Sequence, residues 1–428
     1  MKKNLTLLGA LINISVFAQQ INFNARGIVA ISDADMAASA CMDGRLLKEK
    51  GARDQCSVIK FPFQINDEIK SVLASNSATN WTKGLAISPN GKFAYVVESR
   101  GAVADNITEV KDINADLPAG GFVTVIDIAD LNQPKVLFKF PTGKNPLAVE
   151  VSPSGEYLAI TTEDYGKELQ VLELDATGKP IRIINKPQSF PAGKVSDISW
   201  HPNSDFLAFT LEDSKEVGLI KVLRDGPTQK IIRTELVGKP VKVGSFPAGG
   251  QFTPDGKYYL VADMKWLNAT KSEASGDSKG EIFVMRFNLE GTTDHYLLTK
   301  AKVGENPENF AISPDGSLIA VANMNHSFYP WDSPQLTKKS SISLLKLSED
   351  GTLNNLSEYE FEGIMPQGIT FDTKGENLAV TVYDYFNFGK RLGGIEFWKV
   401  NRGEKPSLTK QDIKFYLNRG VHSVKILK

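Results

Sequence analysis

The chain has 428 residues, 49 Lys plus Arg against 50 Asp plus Glu, and 41% hydrophobic residues. A formal net charge of −1 argues against a nucleic-acid binder, which needs a basic face to neutralise phosphates. The apolar content and 9% aromatics exclude a disordered chain, and 35 glycines with 21 prolines point to many turns.

The first residues read as an address. Met1-Lys2-Lys3 is a positive start, Leu5 to Ala18 is a short, mostly apolar run, and Val16-Phe17-Ala18 precedes Gln19-Gln20. This is the pattern of a cleavable secretory signal over residues 1–18, too short to span a bilayer. The mature chain is expected to begin near Gln19 and to be exported, to a bacterial periplasm or beyond. No later run is long enough for a membrane helix. Cys41 and Cys56 are the two cysteines. In an oxidising compartment they are expected to pair, closing a loop worth about 3 kcal/mol.

From residue 85 onward one phrase recurs: an apolar strand, Ser/Thr-Pro-x-Gly, and a second apolar strand. Clear copies run Leu85–Gly91, Val149–Gly155, Phe252–Gly256 and Phe310–Gly316; degenerate ones run Ile198–Asn203 and Ile369–Gly375. Pro presets φ at the turn and Gly accepts a conformation other residues resist, so the phrase predicts a hairpin. Third strands follow, as at Phe122–Asp127, Leu169–Leu174 and Ile395–Val400, and then more polar fourth strands such as Lys135–Phe140. Four strands repeated at this period predict propeller blades.

Six phrases make six blades, and the chain ends supply a seventh. Gly420–Ile426 reads as a first strand without a second. Gly27–Asp33 reads as a second strand without a first, followed by Cys56–Phe61 and Ile69–Ala74. The expected fold is all-β: one seven-bladed β-propeller over residues 27–428, with about 58 residues per blade and the ring closed by a composite blade that removes sheet edges.

The phrase resembles the repeat of YVTN propellers and of the lactonase family of seven-bladed propellers, the 6-phosphogluconolactonase type. Asn306–Gly316 is its closest copy, and the resemblance covers essentially residues 27 to 428. It implies a ligand at the propeller face where first strands begin and second strands end. It also implies His, Glu and Arg side chains at that face if the chain hydrolyses a lactone. Fold alone does not assign the activity.

Aligning the copies places Lys83, Leu147, Ser196, Ala248, Glu308, Gln367 and His422 around that channel mouth. An apolar sector facing convergent polar groups suits a small-molecule pocket. The catalytic expectation is His422 as base with Glu308 beside it, and Lys83 or Arg100 at the oxyanion. Second-strand ends add Asp33, Glu98, Asp263 and Asn323, a set of oxygens that could take Ca²⁺ or simply meet water. The same face carries long insertions. His326, Tyr329 and Trp331 lie in one and Tyr383 to Phe388 in another, suited to stacking on a sugar, to a protein or glycan partner, or to pinning the loops. Gln367, His326, Tyr329, Trp331, Tyr383 and Asp263 are therefore expected to contact substrate.

Phosphate-loop, zinc-protease, nucleophile-elbow and haem-attachment signatures are absent. The sequence supports an exported lactonase-like propeller hydrolysing or binding a sugar-derived molecule. The alternatives are a non-catalytic binding propeller, or a redox scaffold resembling the heavy chains of amine dehydrogenases, which would need a separate cofactor-bearing subunit.

Overall fold

Each Ser/Thr-Pro-x-Gly phrase folds as the turn joining a blade's first and second strands. Gly91, Gly155, Gly256, Gly316 and Gly375 hold φ between 65° and 78°, where a Cβ is strained. In the third blade Ser204 takes this position at φ 63°. The hydroxyl of the phrase closes the turn: Ser88 Oγ accepts the Phe93 N–H at 2.9 Å, and Ser313 Oγ accepts that of Leu318 at 2.9 Å. Ser and Thr recur there because they satisfy a backbone donor that the turn leaves without a ladder partner.

The computed structural model describes residues 21–64, 67–79, 83–266, 278–291, 294–386 and 391–428. The secretory signal expected over residues 1–18 lies outside them, as do Asn387 and Phe388. Seven four-stranded antiparallel sheets are present. The innermost strands of the first six blades are Leu85–Ile87, Pro146–Val151, Val195–Trp200, Pro247–Phe252, Pro307–Ile312 and Ile369–Phe371. The seventh blade is composite, as expected: Val421–Leu427 inside, then Gly27–Ser32, Gln55–Lys60 and Lys70–Leu73. Gly27 pairs with Leu427 and Ile28 with Ile426, so the two chain ends close the ring through a β-ladder. Neighbouring innermost strands touch all the way round, which leaves a central channel.

Seven apolar clusters fill the spaces between adjacent blades. Trp200 and Phe209 lie between the second and third, Phe252 and Tyr259 between the third and fourth, and Phe397 and Phe415 between the sixth and seventh. Each such ring, fully buried, contributes about 1.5–3 kcal/mol. An eighth cluster is built from the insertions. Met36, Met264, Met324, Phe328, Met365 and Tyr383 converge with the rim residue Ala248, so the insertions cap the channel at the face where they emerge. No helix among the described residues is long and apolar enough to cross a membrane.

The expected Cys41–Cys56 disulfide is not formed; both thiols are free. Cys56 points into the interface between the seventh and first blades, while Cys41 lies in the short helix Ala40–Asp43 and packs against the cap. Sequence spacing does not bring them together because strand direction sends Cys56 into a different core. Burial pushes both thiols up to about 12. Unreduced protein in denaturant is therefore expected to release two thiols per chain in a thiol titration. A value of zero would restore the disulfide.

Candidate functional site

All seven residues aligned at the insertion-face rim are buried, and Ala248 among them packs into the cap. Gln367 Nε2 donates to Glu308 Oε2 at 2.8 Å. Glu308 Oε1 and Gln367 Oε1 have no hydrogen-bond partner among the described residues. Burial pushes the Glu308 carboxyl up to about 8, so it is largely protonated at neutral pH. His422 Nε2 meets Asn76 Oδ1 at 2.8 Å, and burial pulls the imidazole down to about 3. It is neutral at pH 7, as a base must be, but it binds a proton weakly. Arg100 donates from Nη1 to the Ser99 carbonyl at 2.7 Å and lies 3.7 Å from Glu163. With Asp33, Asp35 and Asn76 it lines a void of about 10 Å³, room for one water. Glu308 and Gln367 are thus brought together, while Arg100 is turned to the loops of the first and second blades.

The acids at the second-strand ends cap backbone donors. Asp33 accepts the N–H groups of Asp35 at 2.9 Å and Ala78 at 2.8 Å, and Asp263 accepts those of Phe246 at 2.7 Å and Ser245 at 3.1 Å. Among the described residues no three carboxylate, histidine or cysteine side chains converge as a Ca²⁺ ion would need. The aromatic residues divide. Phe328 stacks on Trp266 at 4.9 Å, buried Tyr329 leans on Phe328 and His326, and Tyr383 donates its hydroxyl to the Met36 carbonyl at 2.8 Å. These pin the cap. His326 lies 3.4 Å from Glu305, and among the described aromatic residues of these two insertions Trp331 alone is open to solvent, 70% exposed.

The open part of the channel lies at the other end. A cavity of about 650 Å³ is lined by the second halves of the innermost strands and by the turn residues Pro153, Pro202, Pro254 and Pro314. One register position, two residues before the Ser of the phrase, carries Ala86, Glu150, Ser199, Gln251, Ala311, Thr370 and Lys425, and all seven line the cavity. Lys83 forms its floor. This side chain starts on the first blade and crosses the channel, donating to the carbonyls of Ile198 on the third blade and Gly250 on the fourth, the latter at 2.9 Å. Its Nζ lies 3.6 Å from Asp197 and 3.7 Å from Glu150. Asp197 is almost wholly buried and accepts the Gly250 N–H at 2.8 Å. Burial raises its carboxyl to about 6 against the pull of Lys83. Glu150 Oε2 accepts the Trp200 N–H at 2.9 Å and stays about a third exposed.

Sequence reasoning missed this ring although the same alignment contains it. Three residues beyond the rim position, Glu, Ser, Gln, Thr and Lys interrupt otherwise apolar strands. A polar residue repeated at one register of a buried strand marks the face turned to a cavity.

No family model matches the sequence. A 6-phosphogluconolactonase from Formosa agariphila is 23% identical over 331 residues, 74% of this chain and 80% of that protein. Crystal structures of candidate 6-phosphogluconolactonases from Bacteroides uniformis and Bacteroides fragilis superpose with TM-scores of 0.61 and 0.60 at 13% and 14% identity. Each superposition covers 94% of this chain, with 100% and 98% of the two neighbours. The architecture is that of the lactonase-type seven-bladed propeller.

Proposed function

We propose that this protein binds and hydrolyses a sugar-derived lactone in the cavity at the hairpin end of its channel, and that it acts outside the cytoplasm after loss of residues 1–18. The observation that carries the reading is the ring of Glu150, Ser199, Gln251, Thr370 and Lys425 around a 650 Å³ space floored by Lys83. That volume suits a monosaccharide-sized ligand, and the ring supplies hydroxyl, amide, carboxylate and ammonium groups for its oxygens. The similarity to a protein named 6-phosphogluconolactonase supports the substrate class.

Glu150 is the base in this reading. The Trp200 N–H holds one oxygen, and the side chain is open enough to hold a water. Glu150 takes a proton from that water as the oxygen adds to the lactone carbonyl. The ammonium of Lys83 stabilises the oxyanion, and the tetrahedral centre collapses. The ring C–O bond breaks, and the departing alkoxide recovers the proton from Glu150 to give the open hydroxy acid. His422 is a poorer base by its low affinity for a proton and its contact with Asn76.

The test is thermal stability against a panel of lactones, sugars and sugar acids, with hydrolysis followed by pH-stat. A stabilising lactone is expected to be turned over, and Glu150→Gln is expected to lower kcat about 100-fold with binding kept. Unchanged turnover in that variant rejects the assignment. The exposed Trp331 favours a second reading, a non-catalytic module binding a glycan or protein on the insertion face. Saturable binding without turnover, lost in Trp331→Ala, would select it.

A further inference from the structure

Lys425 occupies the polar register position on the innermost strand of the seventh blade and lines the cavity. Its neighbour Lys83 takes the two nearby carboxylates and two backbone carbonyls. Among the described residues Lys425 Nζ has neither a hydrogen bond nor an ion pair of its own. One lysine in the cavity is therefore committed as a fixed cation, and the other presents an amine to the ligand space.

We propose that Lys425 is a carbonyl-reactive amine that captures open-chain hydroxy-aldehydes or hydroxy-ketones in the channel cavity as an imine. The proposal rests on that cavity being the ligand site, and not on lactone hydrolysis. The setting weakens the hold of Lys425 on its proton. Burial and the charge on Lys83 pull the Lys425 ammonium below the ordinary lysine range, with Glu150 and Asp197 opposing the shift. A desolvated lysine beside a second cation is a recurrent way to make this nucleophile.

The step balances without a redox partner. The Nζ lone pair forms a C–N bond to the carbonyl carbon, and the C=O π pair moves to oxygen. Glu150 carries both nitrogen protons to that oxygen in turn: the first makes the carbinolamine hydroxyl, and the second turns the hydroxyl into water. Water leaves as the C=N bond forms, so amine and carbonyl become imine and water. The polyol chain of the captured molecule then meets Ser199, Gln251 and Thr370.

The experiment uses the whole chain with D-glyceraldehyde and sodium cyanoborohydride at pH 7, which adds hydride to the imine carbon and fixes it as a secondary amine. Adducts are mapped by peptide mass spectrometry over time. Lys399, exposed on the third strand of the sixth blade and outside the cavity lining, is the internal control. Lys425 is expected to be modified at least about tenfold faster than Lys399. Its rate should saturate with glyceraldehyde, and its pH midpoint should fall below the ordinary lysine range. Lys425→Arg keeps a charged side chain and should abolish the fast phase while the protein remains folded by circular dichroism. Equal rates at Lys425 and Lys399, or an unsaturable rate at Lys425, overturn the proposal. The lactone assay is separate: a fast Lys425 adduct without lactone turnover keeps this inference and rejects hydrolysis, and turnover without the adduct does the reverse.

Discussion

Replacing Lys83 by methionine is expected to destabilise the protein by about 3–5 kcal/mol at pH 7, the largest single-site cost at the channel. Methionine keeps the length and apolar stem of the side chain. What is lost is the charge facing Asp197 and Glu150 and the two bonds to the Ile198 and Gly250 carbonyls. Asp197 is nearly inaccessible to water and, already raised to about 6 beside Lys83, would take up a proton near neutral pH once that cation is gone, a cost that grows above pH 6. The cost should shrink as pH falls through about 6, because Asp197 then takes a proton and needs no counter-ion. Urea denaturation of wild type and variant at pH 7.5 and pH 5 measures this. The double variant Lys83→Met/Asp197→Asn should recover the pH-dependent part of the loss, since an uncharged amide replaces the carboxylate, while the part due to the Ile198 and Gly250 carbonyls remains. A cost below about 1 kcal/mol at pH 7.5, or one independent of pH, would show that Lys83 is not the counter-ion of this network.

The second large effect is at Glu308. Its carboxyl titrates near 8 in the folded chain because burial disfavours the anion, against 4.5 for an unperturbed glutamate. A carboxyl whose folded pKa is raised holds its proton more tightly folded than unfolded. Its contribution is therefore most favourable below about 4.5 and is lost as pH rises through 8. A shift of this size corresponds to roughly 4–5 kcal/mol. Glu308→Gln removes the titration, keeps the shape, and retains a partner for Gln367. Wild type and variant should be about equally stable at pH 4.5. At pH 9 the variant should be the more stable, by up to about that amount. Other raised carboxyls, such as Asp33 near 6, titrate in both proteins and cancel in the difference. A difference that does not grow between pH 5 and 9 would mean that Glu308 is charged and compensated in the folded channel.

These two residues also separate what was legible in the chain from what was not. Both fall at the rim position found by aligning the repeated phrase, so their placement at the channel could be read without coordinates. Their surroundings could not. Glu308 is neutralised by burial, and that burial comes from the cap: Met36, Met264 and Met324 arrive from three separate insertions, Met365 from the connection into the sixth blade, and they meet Phe328 above the rim. Five of the chain's seven methionines join this cluster, and their unbranched side chains fill an irregular space that no local periodicity announces. The aromatic residues of the insertions read equally as ligand-stacking groups or as loop pins. Phe328 and Tyr383 are pins because their partners, Trp266 and Met36, lie far away in sequence.

The sequence by itself determined the blade count, the strand pattern and the composite closure. Each rests on a local cause repeated along the chain: Pro and Gly at a turn, a Ser or Thr hydroxyl satisfying one backbone donor, and alternation of apolar residues. The polar ring of Glu150, Gln251 and Lys425 was present in the same repeat as well. Only the tertiary structure decided which end of the channel is open, that Lys83 crosses it to the third and fourth blades, and that Cys41 and Cys56 face different cores. Those outcomes depend on which distant surfaces exclude water from one another, and burial of that kind is a property of the closed ring and its insertions together.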